Sequence, residues 1–86
     1  MIDVVYTSRF TRQYKKLPRA LQEEVKEKIA LFAREPRDPS LRVHPLRGAM
    51  KGFLSFSVNY KFRIVFEWDD KKTAALLAVG DHAVYQ

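Results

Sequence analysis

The chain contains no cysteine. Disulfide staples, thiolate zinc sites and cysteine nucleophiles are therefore excluded, and an intracellular setting is the expectation. Glycine is nearly as scarce: Gly48, Gly52 and Gly80 are the only three, too scattered for a glycine-rich phosphate-binding loop. Histidine occurs twice, as His44 and His82, without acidic ligands at helical or turn spacing to complete a metal set. Ser55 and Ser57 have no evident base beside them, which speaks against a serine nucleophile. No apolar run approaches the ~20 residues of a membrane span. The opening Met1-Ile-Asp-Val-Val-Tyr-Thr7 lacks the basic and apolar regions of a signal peptide. The expectation is a cytoplasmic protein with no cofactor, no metal and no membrane contact.

What is present points to a small folded domain. The 86 residues make one domain, 1–86, with a limited core. A hydrophobic content of 47% with 13% aromatics argues for a globule over a disordered tail. Sixteen Lys and Arg against ten Asp and Glu leave a net charge of +6. That charge favours an acidic partner: nucleic acid, a ribosome or an acidic protein.

Hydrophobic periodicity divides the chain into elements. Ile2 to Tyr6 reads as a short strand. Thr7 or Ser8 then caps a helix that carries Phe10, Tyr14 and Leu17 at helical spacing. Pro18 suits the first turn of a second helix running to about Arg34. There Leu21, Val25, Ile29 and Phe32 form one apolar stripe, opposite a charged face with a Glu24–Lys28 pair at i,i+4 spacing. Two prolines in Glu35-Pro-Arg-Asp-Pro-Ser40 end the helix, and Leu41 to Gly48 is a short ordered connection. Three strands follow at about 52–58, 61–68 and 73–79, with turns at Asn59-Tyr60 and at 69–72. Leu54, Phe56 and Val58 alternate with Ser55 and Ser57; Phe62, Ile64, Phe66 and Trp68 alternate with Arg63, Val65 and Glu67. The third strand is apolar on both faces, as a buried central strand would be. The predicted fold is α+β in the order β-α-α-β-β-β, two N-terminal helices on one face of a mainly antiparallel, twisted sheet. The other face would keep its polar groups and display Arg63 at mid-sheet to solvent or a ligand.

Four segments in this order resemble the RelE/ParE superfamily of type II toxin–antitoxin toxins. They are Tyr6 to Pro18 with its Phe and Lys-Lys-Leu-Pro; His44-Pro-Leu-Arg-Gly48; Ser55-Phe-Ser-Val-Asn-Tyr-Lys-Phe-Arg-Ile-Val-Phe66; and Gly80-Asp-His-Ala-Val-Tyr85. The resemblance spans essentially the whole chain and is greatest to the RelE/YafQ-like mRNA interferases. It implies a RelE-like microbial RNase fold and a ribosome-dependent endoribonuclease that cuts mRNA in the A site of the 70S ribosome. It also implies a cognate antitoxin, through which alone the toxin would meet operator DNA. Gyrase poisons of the ParE type share the fold, and a degenerate member would bind only its antitoxin.

The resemblance implies roles for individual residues. Arg63 corresponds to the phosphate-binding arginine, whose planar fork never loses its charge. His82 corresponds to the histidine near the C-terminus, and His44 to a position where relatives carry a base; an imidazole can donate or accept a proton. Tyr85 corresponds to a near-terminal aromatic that stacks on a base or assists at the phosphate. Arg47, Lys51 and Lys61 flank the expected groove as nucleic-acid-binding cations. Arg9, Arg12, Lys15, Lys16 and Arg19 form a second basic cluster. Where the RelE type places paired lysines, this chain has Leu54, Ser55, Phe56 and Ser57, so proton transfer falls to His44 and His82.

Overall fold

Thr7 joins the first strand to the first helix and ties both to the sheet. Its hydroxyl accepts from the Phe10 N–H at 3.2 Å and donates to the Leu76 carbonyl at 2.8 Å. One side chain therefore caps the helix and fixes it to a strand almost seventy residues away. The structure, a computed structural model, describes residues 1–81. Its strands are β1 (Asp3–Tyr6), β2 (His44–Pro45), β3 (Leu54–Ser57), β4 (Arg63–Asp70) and β5 (Thr73–Gly80). Its helices are α1 (Ser8–Lys15) and α2 (Arg19–Arg34), and single 3-10 turns occupy Pro39–Leu41 and Gly48–Met50.

The five strands form one sheet in the order β1-β5-β4-β3-β2. The β1–β5 pairing is parallel and the other three are antiparallel. The α+β architecture is the one expected, with one strand more than the pattern showed. Inside the connection 41–48, His44 and Pro45 pair with Ser55 and Leu54. Proline cannot donate to a ladder, which suits it to this two-residue edge.

The core fills the space between α2 and one face of the sheet. All four residues of the α2 stripe are buried, with Phe56, Ile64, Phe66, Ala74, Leu76 and Val79 opposite them. Phe32 is its centre: its ring stacks on Phe56 at 4.4 Å and meets Phe66 edge-on at 4.8 Å. Such aromatic pairs contribute about 0.5–1.5 kcal/mol each beyond area burial. On the charged face of α2, the ion pair that forms is Glu23–Lys26, not Glu24–Lys28. Glu24 turns to Asn59 in the β3–β4 turn.

The second face departs from expectation. Ser55 and Ser57 point to it, yet both are buried. The chain between β2 and β3 folds back over this face, bringing Leu46, Met50 and Phe53 onto Val65, Leu77 and Ala78 in a second apolar cluster. A bulge in β5 contributes, because Val65 pairs with Ala78 while Phe66 pairs with Leu76. Leu77 is the extra residue, so Leu77 and Ala78 both join this cluster. Arg63 is half-buried at the first position of β4, the central strand, and not displayed at its middle. The far end of β4 reaches Asp70, two residues beyond the predicted boundary, with Asp69 bulged between the Trp68–Ala74 and Asp70–Thr73 pairs.

The fold-back needs positive φ at two points, Gly48 (66°) and Gly52 (100°). A Cβ built at Gly52 meets no atom within 4 Å, so only backbone conformation demands glycine there. Gly52→Ala should therefore destabilise the fold by at least about 1 kcal/mol despite the open space, read as a lower urea midpoint. An unchanged midpoint would contradict that assignment.

Candidate functional site

Strand register decides which side chains meet. Cross-strand partners point to the same face of a sheet. One row of pairs is His44–Ser55–Val65–Ala78, and the next along is Ser57–Arg63–Gly80. His44 and Arg63 therefore share the face that carries the second apolar cluster. They sit two strands and two residues apart, a Cα separation of about 12 Å from strand spacing and rise. His44 does not itself line the cleft beside Arg63.

The Arg63 guanidinium is held in place. Its Nη1 donates to the Ser57 hydroxyl at 3.1 Å, and Ser57 is 8% exposed. A buried hydroxyl requires a partner, so the bond satisfies the serine and orients the arginine together. The remaining N–H groups of the fork are available to an anion. The space beside it is a cleft of about 230 Å³ lined by Ser40, Arg42, Ser57, Asn59, Tyr60 and Arg63. The cleft thus has two guanidinium groups and an exposed phenol.

Local structure supplies the other walls. Asn59 accepts from the N–H groups of Lys61 and Phe62 at 2.9 and 2.8 Å. This Asx turn reverses the chain between β3 and β4 and leaves Tyr60 outermost. Asp38 caps the first 3-10 turn, accepting from the Ser40 N–H at 2.9 Å and the Ser40 hydroxyl at 2.6 Å. Those two bonds hold the Asp38 carboxyl below its ordinary pKa. The cap is accordingly present above the usual aspartate range and lost as pH falls through the depressed value. Arg42 follows the turn in the left-handed region, φ 51° and ψ 46°. A non-glycine residue there costs about 1 kcal/mol or more, and such strain gathers at functional sites.

His44 is exposed on the edge strand, and its Nδ1 lies 2.8 Å from the Arg42 carbonyl. A carbonyl only accepts, so Nδ1 carries the proton and Nε2 is left to exchange one. The strained Arg42 thus contributes its side chain to the cleft and its carbonyl to the orientation of the histidine. Arg47 and Lys51 are exposed on either side of the second 3-10 turn. Lys61 is exposed in the β3–β4 turn, its Nζ 5.8 Å from the Phe62 ring centre. None of these three lines the Arg63 cleft. His82 and Tyr85 lie outside the described residues. The chain leaves β5 at Gly80, directly paired with Arg63, two residues before His82. Among the described residues no three His, Asp or Glu side chains gather as a metal site would require.

Sequence reading missed Arg42 and Tyr60. Arg42 lies in the connection 41–48, and only its left-handed backbone distinguishes it. Tyr60 was read as a turn residue. The signal available was a large aromatic placed where turns favour small polar residues.

Comparison with known proteins agrees with the fold. A chain of the toxin–antitoxin complex RelBE2 from Mycobacterium tuberculosis is a structural relative with TM-score 0.77 and 28% identity, the match covering 94% of this chain and 98% of that one. YafQ from E. coli superposes with TM-score 0.79 at 18% identity over 99% and 98% of the two chains. A YoeB/ParE toxin from Agrobacterium tumefaciens gives 0.76 at 19% over 94% and 99%. No curated protein matches by sequence. The family model for the ParE toxin of the type II toxin–antitoxin system parDE matches residues 4–84. With nearly its whole length matched, the chain belongs to this family within the RelE/ParE superfamily and is a type II toxin.

Proposed function

We propose that this toxin is a ribosome-dependent endoribonuclease that cleaves mRNA in the A site and is held inactive by a cognate antitoxin. The observation that supports this most is a guanidinium anchored on Ser57 with N–H groups to spare, on the same sheet face as a histidine whose Nε2 is available two strands away. Metal-independent RNA cleavage needs those elements. A base removes the proton of the 2′-hydroxyl, whose oxygen attacks the neighbouring phosphorus. A cation stabilises the charge that gathers on the phosphoryl oxygens, and an acid protonates the departing 5′-oxygen. The P–O5′ bond breaks as the O2′–P bond forms, giving a 2′,3′-cyclic phosphate and a 5′-hydroxyl. DNA lacks the 2′-hydroxyl and would not be cut.

Arg63 is the phosphate cation, and Arg42 reinforces it from the same cleft. His44 and His82 divide the acid and base roles. Tyr60 and Tyr85 offer surfaces on which a splayed base stacks. Arg47, Lys51 and Lys61 contact mRNA or ribosomal RNA phosphates, with the salt dependence such contacts carry. The target places the protein in the cytoplasm, and no helix among the described residues is long and apolar enough to cross a membrane. The antitoxin follows from the family and from the RelBE2 complex. An acidic, amphipathic segment that folds on binding would complement the +6 charge and cover the Arg63 face.

A second reading draws on the family model itself, which is named for ParE. Under it the chain poisons a protein target such as gyrase without cutting RNA. Reconstituted translation with a defined mRNA and primer extension separates the two. Cleavage should appear only with ribosomes, leave cyclic phosphate ends, and fall about 10²- to 10³-fold in Arg63→Ala. His44→Ala and His82→Ala should each fall about 10²-fold or more, with folding unchanged by circular dichroism. Ser57→Ala should be milder, about three- to tenfold, because it removes one neutral hydrogen bond that positions the guanidinium. Intact mRNA together with inhibited gyrase supercoiling would overturn the nuclease reading in favour of the poison.

A further inference from the structure

Trp68 is the only tryptophan of the chain, and it is 38% exposed. Part of its indole packs on Phe32 at 5.9 Å and on Phe66 at 5.7 Å, edge-on at 85°. These contacts hold the ring rigid. Its remaining surface lines a second cleft, of about 670 Å³, together with Pro36, Arg37, Asp38, Arg42 and Lys71. Three cations stand against one carboxylate there, and that carboxylate is already engaged by Ser40. Arg37, Arg42 and Lys71 are all exposed.

A packed, partly open indole among exposed cations is the combination that single-stranded nucleic acid binds. Bases stack on the ring, whichever base they are, and flanking phosphates meet the cations. Arg42 lines this cleft and the Arg63 cleft alike. Arg63 and Trp68 are five residues apart on β4, about 17 Å along the strand, and by strand alternation they face opposite sides of the sheet. Arg42 stands where the two clefts adjoin, beside the β2 edge.

We propose that the Trp68 cleft is a second site for single-stranded RNA, which stacks one base on the indole and holds neighbouring phosphates with Arg37, Arg42 and Lys71. This rests on the nuclease reading for the Arg63 cleft but adds a separate contact. A strand with one phosphate at Arg63 passes Arg42, rounds the sheet edge and reaches Trp68. A loop of ribosomal RNA presents the same chemistry from a different strand.

The test uses the full-length protein and labelled, non-cleavable 2′-O-methyl RNA oligonucleotides of increasing length at low salt. Anisotropy reads binding at any site, while quenching of the single tryptophan reads contact with Trp68. Quenching that saturates with binding is expected. Trp68→Leu, which keeps an apolar side chain against Phe32, should weaken affinity about tenfold. Should that variant misfold, Arg37→Ala and Lys71→Ala serve, each lowering the slope of log K against log salt by about 0.7. If quenching disappears in Arg63→Ala, one strand spans both clefts; if it persists, the second cleft takes its own strand, as a ribosomal RNA loop would. Binding without quenching, with wild-type affinity in all three cleft variants, would overturn the second site and leave the nuclease reading intact. No binding at any length would overturn both.

Discussion

The cross-strand pair of Ser57 and Arg63 is the interaction on which the site depends. A guanidinium half-buried at the head of the central strand needs a partner, because a charge withdrawn from water is costly unless hydrogen-bonded. The Ser57 hydroxyl, buried in turn, needs a donor. Each satisfies the other, and the arginine is left with spare N–H groups beside the cleft it lines. The arrangement exists only in one register of β3 against β4, since a slip of one residue would send every side chain to the other face. Phe56, Ile64 and Phe66 fix that register by filling the core around Phe32. The Asx turn at Asn59 fixes it from the loop. The geometry of the Arg63 cleft is thus anchored by hydrophobic packing on the opposite side of the sheet.

Elements governed by local rules were legible in the sequence. The α2 stripe recurs at helical spacing, and all four of its residues are in the core. Thr7 and Ser8 both read as caps by residue type and position, and Thr7 is the one that caps in the structure. What escaped was set by distant contacts. Ser55 and Ser57 read as solvent-facing because alternation shows which residues share a face, not what covers it. The cover comes from Leu46, Met50 and Phe53 folding back. β2 is two residues long and includes a proline, below what any periodicity can register. The Leu77 bulge sits in a strand apolar on both faces, where no polar residue marks the change of phase. Arg63 and His44 stand out in the sequence as residue types, while the way they are held does not. The Arg42 carbonyl that orients His44, and the strained backbone that presents it, belong to tertiary structure.

The two faces of the sheet have different tasks. One is sealed by α1 and α2 and supplies stability. The other is half sealed by the second apolar cluster, and its polar remainder is where the proposed chemistry would take place. Arg42 joins the two, between the Arg63 cleft and the cleft of Trp68. This division suits the proposed activity: an RNA strand held on the polar remainder, or an antitoxin segment covering it, would leave the core beneath unchanged.

The central claim is that the Ser57–Arg63 row receives the scissile phosphate. The most direct measurement is an NMR titration with a 2′-O-methyl RNA dinucleotide, which carries a single bridging phosphate and cannot be cleaved. The account predicts saturable shifts at the backbone amides of Ser57 and Arg63, the Arg63 side-chain Nε–H and the His44 ring. Shifts confined to α1, α2 or β1, with the Arg63 side chain unmoved, would contradict it.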